Sequence, residues 1–144
     1  MRILWGEYIF IYIIYFHYIT VEAKYRYEFD SSTGIMFKYY SGLITYKEIE
    51  HSWMETFRAN ILRGEIRGFV LDFQEAELNI DKEEVSKIAQ FYHSHLDYFK
   101  GTKIATISVT PEQVVVSTLV AKKDNGYTSR PFSTIEAAID WVLN

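Results

Sequence analysis

From Ala23 to Phe29 apolar and polar residues alternate strictly, with Tyr25, Tyr27 and Phe29 on one side and Lys24, Arg26 and Glu28 on the other. That period of two predicts a half-buried strand. Asp30-Ser31-Ser32-Thr33-Gly34 is a cluster of turn formers, and Ile35 to Tyr40 reads as a second strand, so the domain opens with an antiparallel hairpin broken at Ser41-Gly42. Four helix starts follow, each with a capping side chain, an acid or amide three residues on, and an apolar pair bracketing them. They are Thr45/Glu48 with Ile44 and Ile49, Asp81/Glu84 with Ile80 and Val85, Thr110/Gln113 with Val109 and Val114, and Ser133/Glu136 with Phe132 and Ala137. Pro111 sits where a first-turn proline is tolerated.

Apolar stripes at helical spacing run behind these caps: Ile49, Trp53, Phe57 and Ile61 up to Gly64; Val85, Ile88, Tyr92, His95 or Leu96, and Phe99 up to Gly101; Val114, Val115, Thr118 and Leu119 before Asp124; and Ile135, Ala138, Ile139 and Val142. Gly68 to Phe73 and Lys103 to Val109 read as buried strands. Tyr127 to Phe132 is polar and holds Pro131, so it belongs at a sheet edge. The predicted order is ββαβαβαβα, an α/β fold whose mixed sheet opens with an antiparallel hairpin and continues through parallel crossovers.

Residues 1–22 stand apart. Tyr8 to Val21 carries no charge except on His17 when protonated. The run is short for a membrane span, and Glu7 interrupts its longer version. Arg2 and Val21-Glu22-Ala23 give it thin features of a secretory signal. The expectation is an apolar extension (an extra strand, an anchor, a signal or a non-native start) ahead of one domain over residues 23–144. Membrane contact is expected only through residues 1–22, with a cytoplasmic location otherwise.

Composition narrows the chemistry. The 144 residues hold no Cys, which excludes disulfides, thiolate metal sites and thiol catalysis. Fifteen basic against 19 acidic residues leave a net charge of −4, without the basic footprint of a nucleic-acid binder. His93 and His95 are two apart on a helix and diverge too far to chelate one ion; His95 faces the core and His93 faces away. Asp72, Glu75, Glu77 and Asp81 read as an acidic loop without metal-binding spacing. No nucleophile elbow and no glycine-rich phosphate loop occurs, so neither an enzyme nor a bound cofactor or metal is expected. The aromatic residues Tyr25, Tyr27, Phe37, Tyr39, Trp53 and Phe57 are candidates to line an apolar pocket, although such spacing also describes ordinary core.

Three segments carry a resemblance: Tyr40-Ser41-Gly42-Leu43-Ile44-Thr45, Val70-Leu71-Asp72-Phe73-Gln74-Glu75-Ala76, and Pro131-Phe132-Ser133-Thr134-Ile135-Glu136-Ala137-Ala138-Ile139-Asp140-Trp141-Val142. With the element order they resemble the STAS/SEC14-like family, the SpoIIAA-like fold of anti-sigma factor antagonists, in its stand-alone bacterial form. The resemblance implies a non-catalytic, regulatory protein-binding role centred on Asp72, Asp81 and Lys82 at the start of the second helix. It also implies an alternative, the carriage of a small apolar ligand or lipid as in the SEC14-related branch. The family's phosphorylatable Ser falls here on Ile80-Asp81-Lys82, so the phosphoacceptor is missing and any partner binding is expected to be constitutive.

Overall fold

The computed structural model describes residues 24–59 and 65–144. The apolar extension expected over residues 1–22, and Ile61 of the first stripe, lie outside the described residues. Among the described residues ten elements follow one another: β1 (Tyr25–Asp30), β2 (Ile35–Ile44), α1 (Tyr46–Arg58), β3 (Gly68–Leu78), α2 (Lys82–Ser94), α3 (Leu96–Phe99), β4 (Lys103–Ile107), α4 (Pro111–Ala121), β5 (Thr128–Phe132) and α5 (Ile135–Leu143).

The strands lie side by side in chain order, with β1 antiparallel to β2 and the remaining pairs parallel. Right-handed crossovers that advance in one direction place every connecting helix on the same face. Accordingly α1, α2 and α4 bury Ile49, Trp53, Val85, Ile88, Tyr92, Val116 and Val120 against Met36, Tyr40, Phe69, Leu71 and Ile104. α5 packs Ala138 and Val142 on the opposite face, against Ile35, Val70, Ala105 and Ile107. Gly68 permits that approach: a Cβ there would lie 2.6 Å from Val142 Cγ1 and 2.7 Å from the Lys103 carbonyl. The free carbonyls at the C-terminal end of α5 take Lys103 Nζ on Trp141 at 3.0 Å and an Arg67 guanidinium N–H on Leu143 at 3.2 Å. Both are cations where the helix dipole favours them.

Several boundaries differ from the sequence reading. β2 does not stop at Ser41-Gly42. At a register shift between Tyr39 and Ser41, where β3 carries one extra residue between Asp72 and Glu75, the pairing continues through Gly42 at φ 75° to Ile44. β3 likewise runs to Leu78, so Asp72, Glu75 and Glu77 stand in a strand and form no acidic loop. The last helix is capped by Thr134, whose hydroxyl accepts from the Ala137 amide at 3.2 Å, and not by Ser133. The second helix breaks at His95 and resumes as α3. His95 Nδ1 lies 2.8 Å from the Phe91 carbonyl and its ring packs on Phe57 and Phe91, while His93 is exposed.

Candidate functional site

The parallel strands β2 to β5 deliver four strand-to-helix loops to one end of the molecule, among them the β3–α2 and β4–α4 connections. At the first, Asp81 Oδ1 accepts the Glu84 amide at 2.8 Å and Glu84 Oε1 accepts the Asp81 amide at 3.1 Å, a reciprocal cap that satisfies the first turn of α2. Asp81 and Lys82 are both exposed there. Asp72, the third residue expected at this surface, lies mid-strand in β3, half-buried beside Tyr39, and accepts the Gln74 amide at 2.9 Å. Asp81 and Lys82 therefore share the start of α2, whereas Asp72 belongs to the strand before it.

At the second loop α4 is rotated relative to the expected stripe. The residues it buries are Gln113, Val116, Ser117 and Val120. Val114, Val115 and Leu119 are turned outward at 42%, 56% and 37% exposure, and Val109 just before the helix is 51% exposed. Polar side chains decide the rotation. Gln113 Nε2 donates to the carbonyls of Phe73 and Ala76 at 2.9 and 2.8 Å, and its Oε1 accepts the Val109 amide at 2.8 Å. Ser117 Oγ lies 3.1 Å from Ser108 Oγ. β4 ends opposite Asp72, so the β3 carbonyls beyond that point have no strand neighbour on that side, and Gln113 supplies the missing donors. Hydropathy alone misses this, because the run Val114-Val115-Val116 serves either face equally well.

The expected apolar pocket is divided by the sheet. Tyr25, Tyr27 and Phe29 pair with Tyr40, Lys38 and Met36, so these six share the α1 side. Trp53 and Phe57 lie on that side too, with ring centroids 6.4 Å apart. Phe37 and Tyr39 fall on the other face by strand alternation, stacked on each other at 6.3 Å, and cannot line a pocket with Trp53. Tyr25 is half-buried and its hydroxyl lies 2.8 Å from His51 Nδ1; Tyr27 is 40% exposed.

What does stand beside Trp53 is Lys38. The residue is fully buried, its Nζ is 3.7 Å from the Trp53 ring centroid, and it has no hydrogen-bond partner among the described residues. Burial pushes the amine well below the ordinary lysine range, against a smaller opposing pull from Glu55. The signal for it is visible in hindsight: Met36, Lys38 and Tyr40 occupy the apolar side of one strand, and only Lys38 is charged.

Between α1, α2, α4 and the sheet a cavity of about 40 Å³ is lined by Ile49, Ile88, Tyr92, Ile104, Thr106 and Val116, among others. The Thr106 hydroxyl is buried without a hydrogen-bond partner among the described residues. Such a space has room for about two or three waters. Ligand pockets run to roughly 300 Å³ and more.

No protein-family model matches the chain, and no curated protein matches it. Among solved structures it is similar to an uncharacterised protein of the DUF3478 family, with a SpoIIAA-like fold, from Shewanella loihica PV-4. The TM-score is 0.54 at 16% identity, covering 82% of this chain and 93% of that one. The five-stranded mixed sheet described above is thus a SpoIIAA-like α/β fold. No helix among the described residues is long and apolar enough to cross a membrane.

Proposed function

We propose that this domain is a non-catalytic, regulatory partner-binding module that docks through the outward face of α4 and the neighbouring start of α2. One observation carries the reading: α4 turns the apolar side chains Val114, Val115 and Leu119 outward, away from the core that takes Val116 and Val120. Here Val114, Val115 and Leu119 stand in solvent, with Val109 beside them, at the end of the sheet where α/β proteins generally place their binding surfaces. Asp81 and Lys82 supply a polar rim of fixed geometry, because the cap holds Asp81 in place. Lipid carriage is the weaker reading, since the cavity that the described residues line under the helices is about 40 Å³, against roughly 300 Å³ and more for ordinary ligand pockets.

The test is cross-linking in cells of the native host, comparing the wild-type chain with a Val115→Asp/Leu119→Asp variant by quantitative mass spectrometry. A protein captured by the wild type and lost from the variant, with the melting temperature unchanged, supports the proposal. Equal capture by both, or a co-extracted lipid in stoichiometric amount, overturns it.

A further inference from the structure

The face of the sheet opposite α1, α2 and α4 is only partly roofed. α5 packs over β3, β4 and β5. α5 also covers Ile35 at the start of β2, and Phe37 packs against its edge; over β1 and the rest of β2 the described residues place no helix. There Arg26 and Glu28 have side chains 67% and 66% exposed, and Phe37 and Tyr39 stack on each other. The Arg26 guanidinium lies 4.0 Å above the Tyr39 ring. Further along the same strands Leu43 is 46% exposed, paired in register with the exposed Glu77, and Ser41 is paired with the exposed Glu75. Strands are spaced about 4.8 Å apart and a helix with its side chains is about 10 Å across. The open strip beside α5 therefore has the width of one helix.

We propose that this strip is the seat of a basic amphipathic helix from a partner protein, laid alongside α5 with its apolar side on Phe37, Tyr39 and Leu43. Charge fixes the kind of occupant. Four carboxylates, Glu28, Asp72, Glu75 and Glu77, border the strip against two cations, Lys24 and Arg26; Lys24 Nζ lies 3.6 Å from Glu48, and Arg26 is engaged by the Tyr39 ring and lies 3.9 Å from Glu28. A second copy of this chain, with net charge −4, is a poor complement. Residues 1–22 are a poor one as well, since they carry Arg2 against Glu7 and Glu22. Opposite potentials steer association and reject partners of like charge. The seat is independent of the α4 surface: it lies on the other side of the sheet, and together the two would let the domain bridge two proteins.

The experiment titrates the full-length isotope-labelled chain with two synthetic peptides of about 18 residues, five helical turns. One is amphipathic in Leu and Lys, the other in Leu and Glu. The Leu/Lys peptide is expected to shift the backbone amide signals of residues 26–28, 37–43 and 72–77, with affinity falling as salt rises, and the Leu/Glu peptide to leave them in place. Glu75→Lys/Glu77→Lys should weaken the Leu/Lys peptide by at least about tenfold with melting unchanged. Val115→Asp/Leu119→Asp should leave its affinity as it is, which separates this seat from the α4 surface. Shifts confined to α4, equal affinity for the charge-reversed variant, or no binding of the Leu/Lys peptide overturn the proposal. A dimer by light scattering that Leu43→Asp dissociates would replace the partner helix with a second copy. Binding seen only after removal of residues 1–22 would replace it with the chain's own N-terminal segment.

Discussion

Lys38 works against the fold. A buried amine without a hydrogen-bond partner forfeits its hydration, and the Trp53 ring at 3.7 Å returns only part of that. Lys38→Met keeps a long unbranched side chain and removes the polar atom, so it should stabilise the protein by about 1–3 kcal/mol at pH 7, read from the urea midpoint. The sign of its pH dependence is fixed. The native state holds this amine's pKa well below 10.5, so its cost is complete below the native pKa and fades as the pH climbs towards about 10.5, where the unfolded lysine also sheds its proton. The advantage of the Met variant should therefore shrink from neutral pH towards pH 10. Glu55 is the charged group that acts on Lys38, and Trp53 and the partly exposed Tyr27 are its neighbours across α1 and β1. A variant less stable than wild type at pH 7 would mean that the ammonium–indole contact outweighs desolvation. At the start of α2, Asp81→Ala removes the acceptor of the Glu84 amide and should cost about 0.5–2 kcal/mol in thermal or urea melts. A neutral result would show that water caps the helix equally well.

At the scale of elements the decisive side chain is Gln113, which ties the start of α4 to the overhanging part of β3. Its amide meets two carbonyls and its oxygen meets the Val109 N–H, all in a position 1% exposed. Gln113→Leu fills the same space and strands four backbone groups, the Phe73 and Ala76 carbonyls and the Val109 and Thr110 amides. A loss of at least about 2 kcal/mol is expected in chemical melts, with faster hydrogen exchange at residues 73–78. Unchanged exchange there would mean the strand extension holds without the helix. This residue also explains how much was legible in the sequence. The element order and three of the four caps (Thr45, Asp81 and Thr110) follow from local chemistry that each segment carries by itself. The rotation of α4, the lengths of β2 and β3, and the fate of the acidic residues between Asp72 and Glu77 depend on contacts between segments far apart in the chain. Gln113 to Ala76 is one such contact, and the pairing of Ser41 to Ile44 with Glu75 to Leu78 past the extra residue in β3 is another. Two neighbouring apolar positions on a short helix give hydropathy no means of choosing a face. The expected pocket failed for a related reason, since strand alternation separates Phe37 and Tyr39 from Trp53 whatever their chemistry.

For the molecule as a whole, tyrosine burial sets the alkaline limit of stability. Tyr127 is pushed up to about 12 by burial first and then by the Asp124 carboxylate. Tyr25 reaches about 12 through burial and Glu55, and Tyr46 about 12 through burial and its 2.7 Å hydrogen bond to Glu50. Burial drives Tyr40 and Tyr92 up as well. Each of these groups is favoured in its neutral form by the native state, so its contribution is whole below the ordinary tyrosine value of 10 and is lost as the pH rises from there through about 12. These residues come from β1, β2, α1, α2 and the approach to β5, and Tyr92 and Tyr127 touch at 5.3 Å between centroids. Ionising Tyr40, Tyr92 or Tyr127 in place would put a phenolate among the rings of the shared core, where charge is costly. Their titration should therefore be coupled to unfolding and not proceed one residue at a time. Followed together, tyrosinate absorbance and far-ultraviolet circular dichroism should show a fraction of the tyrosines ionising only in the step that abolishes the helical signal, between pH 10 and 12. Smooth ionisation of every tyrosine near pH 10, with the helical signal intact, would show that the aromatic layer between the helices and the sheet admits water and charge without coming apart.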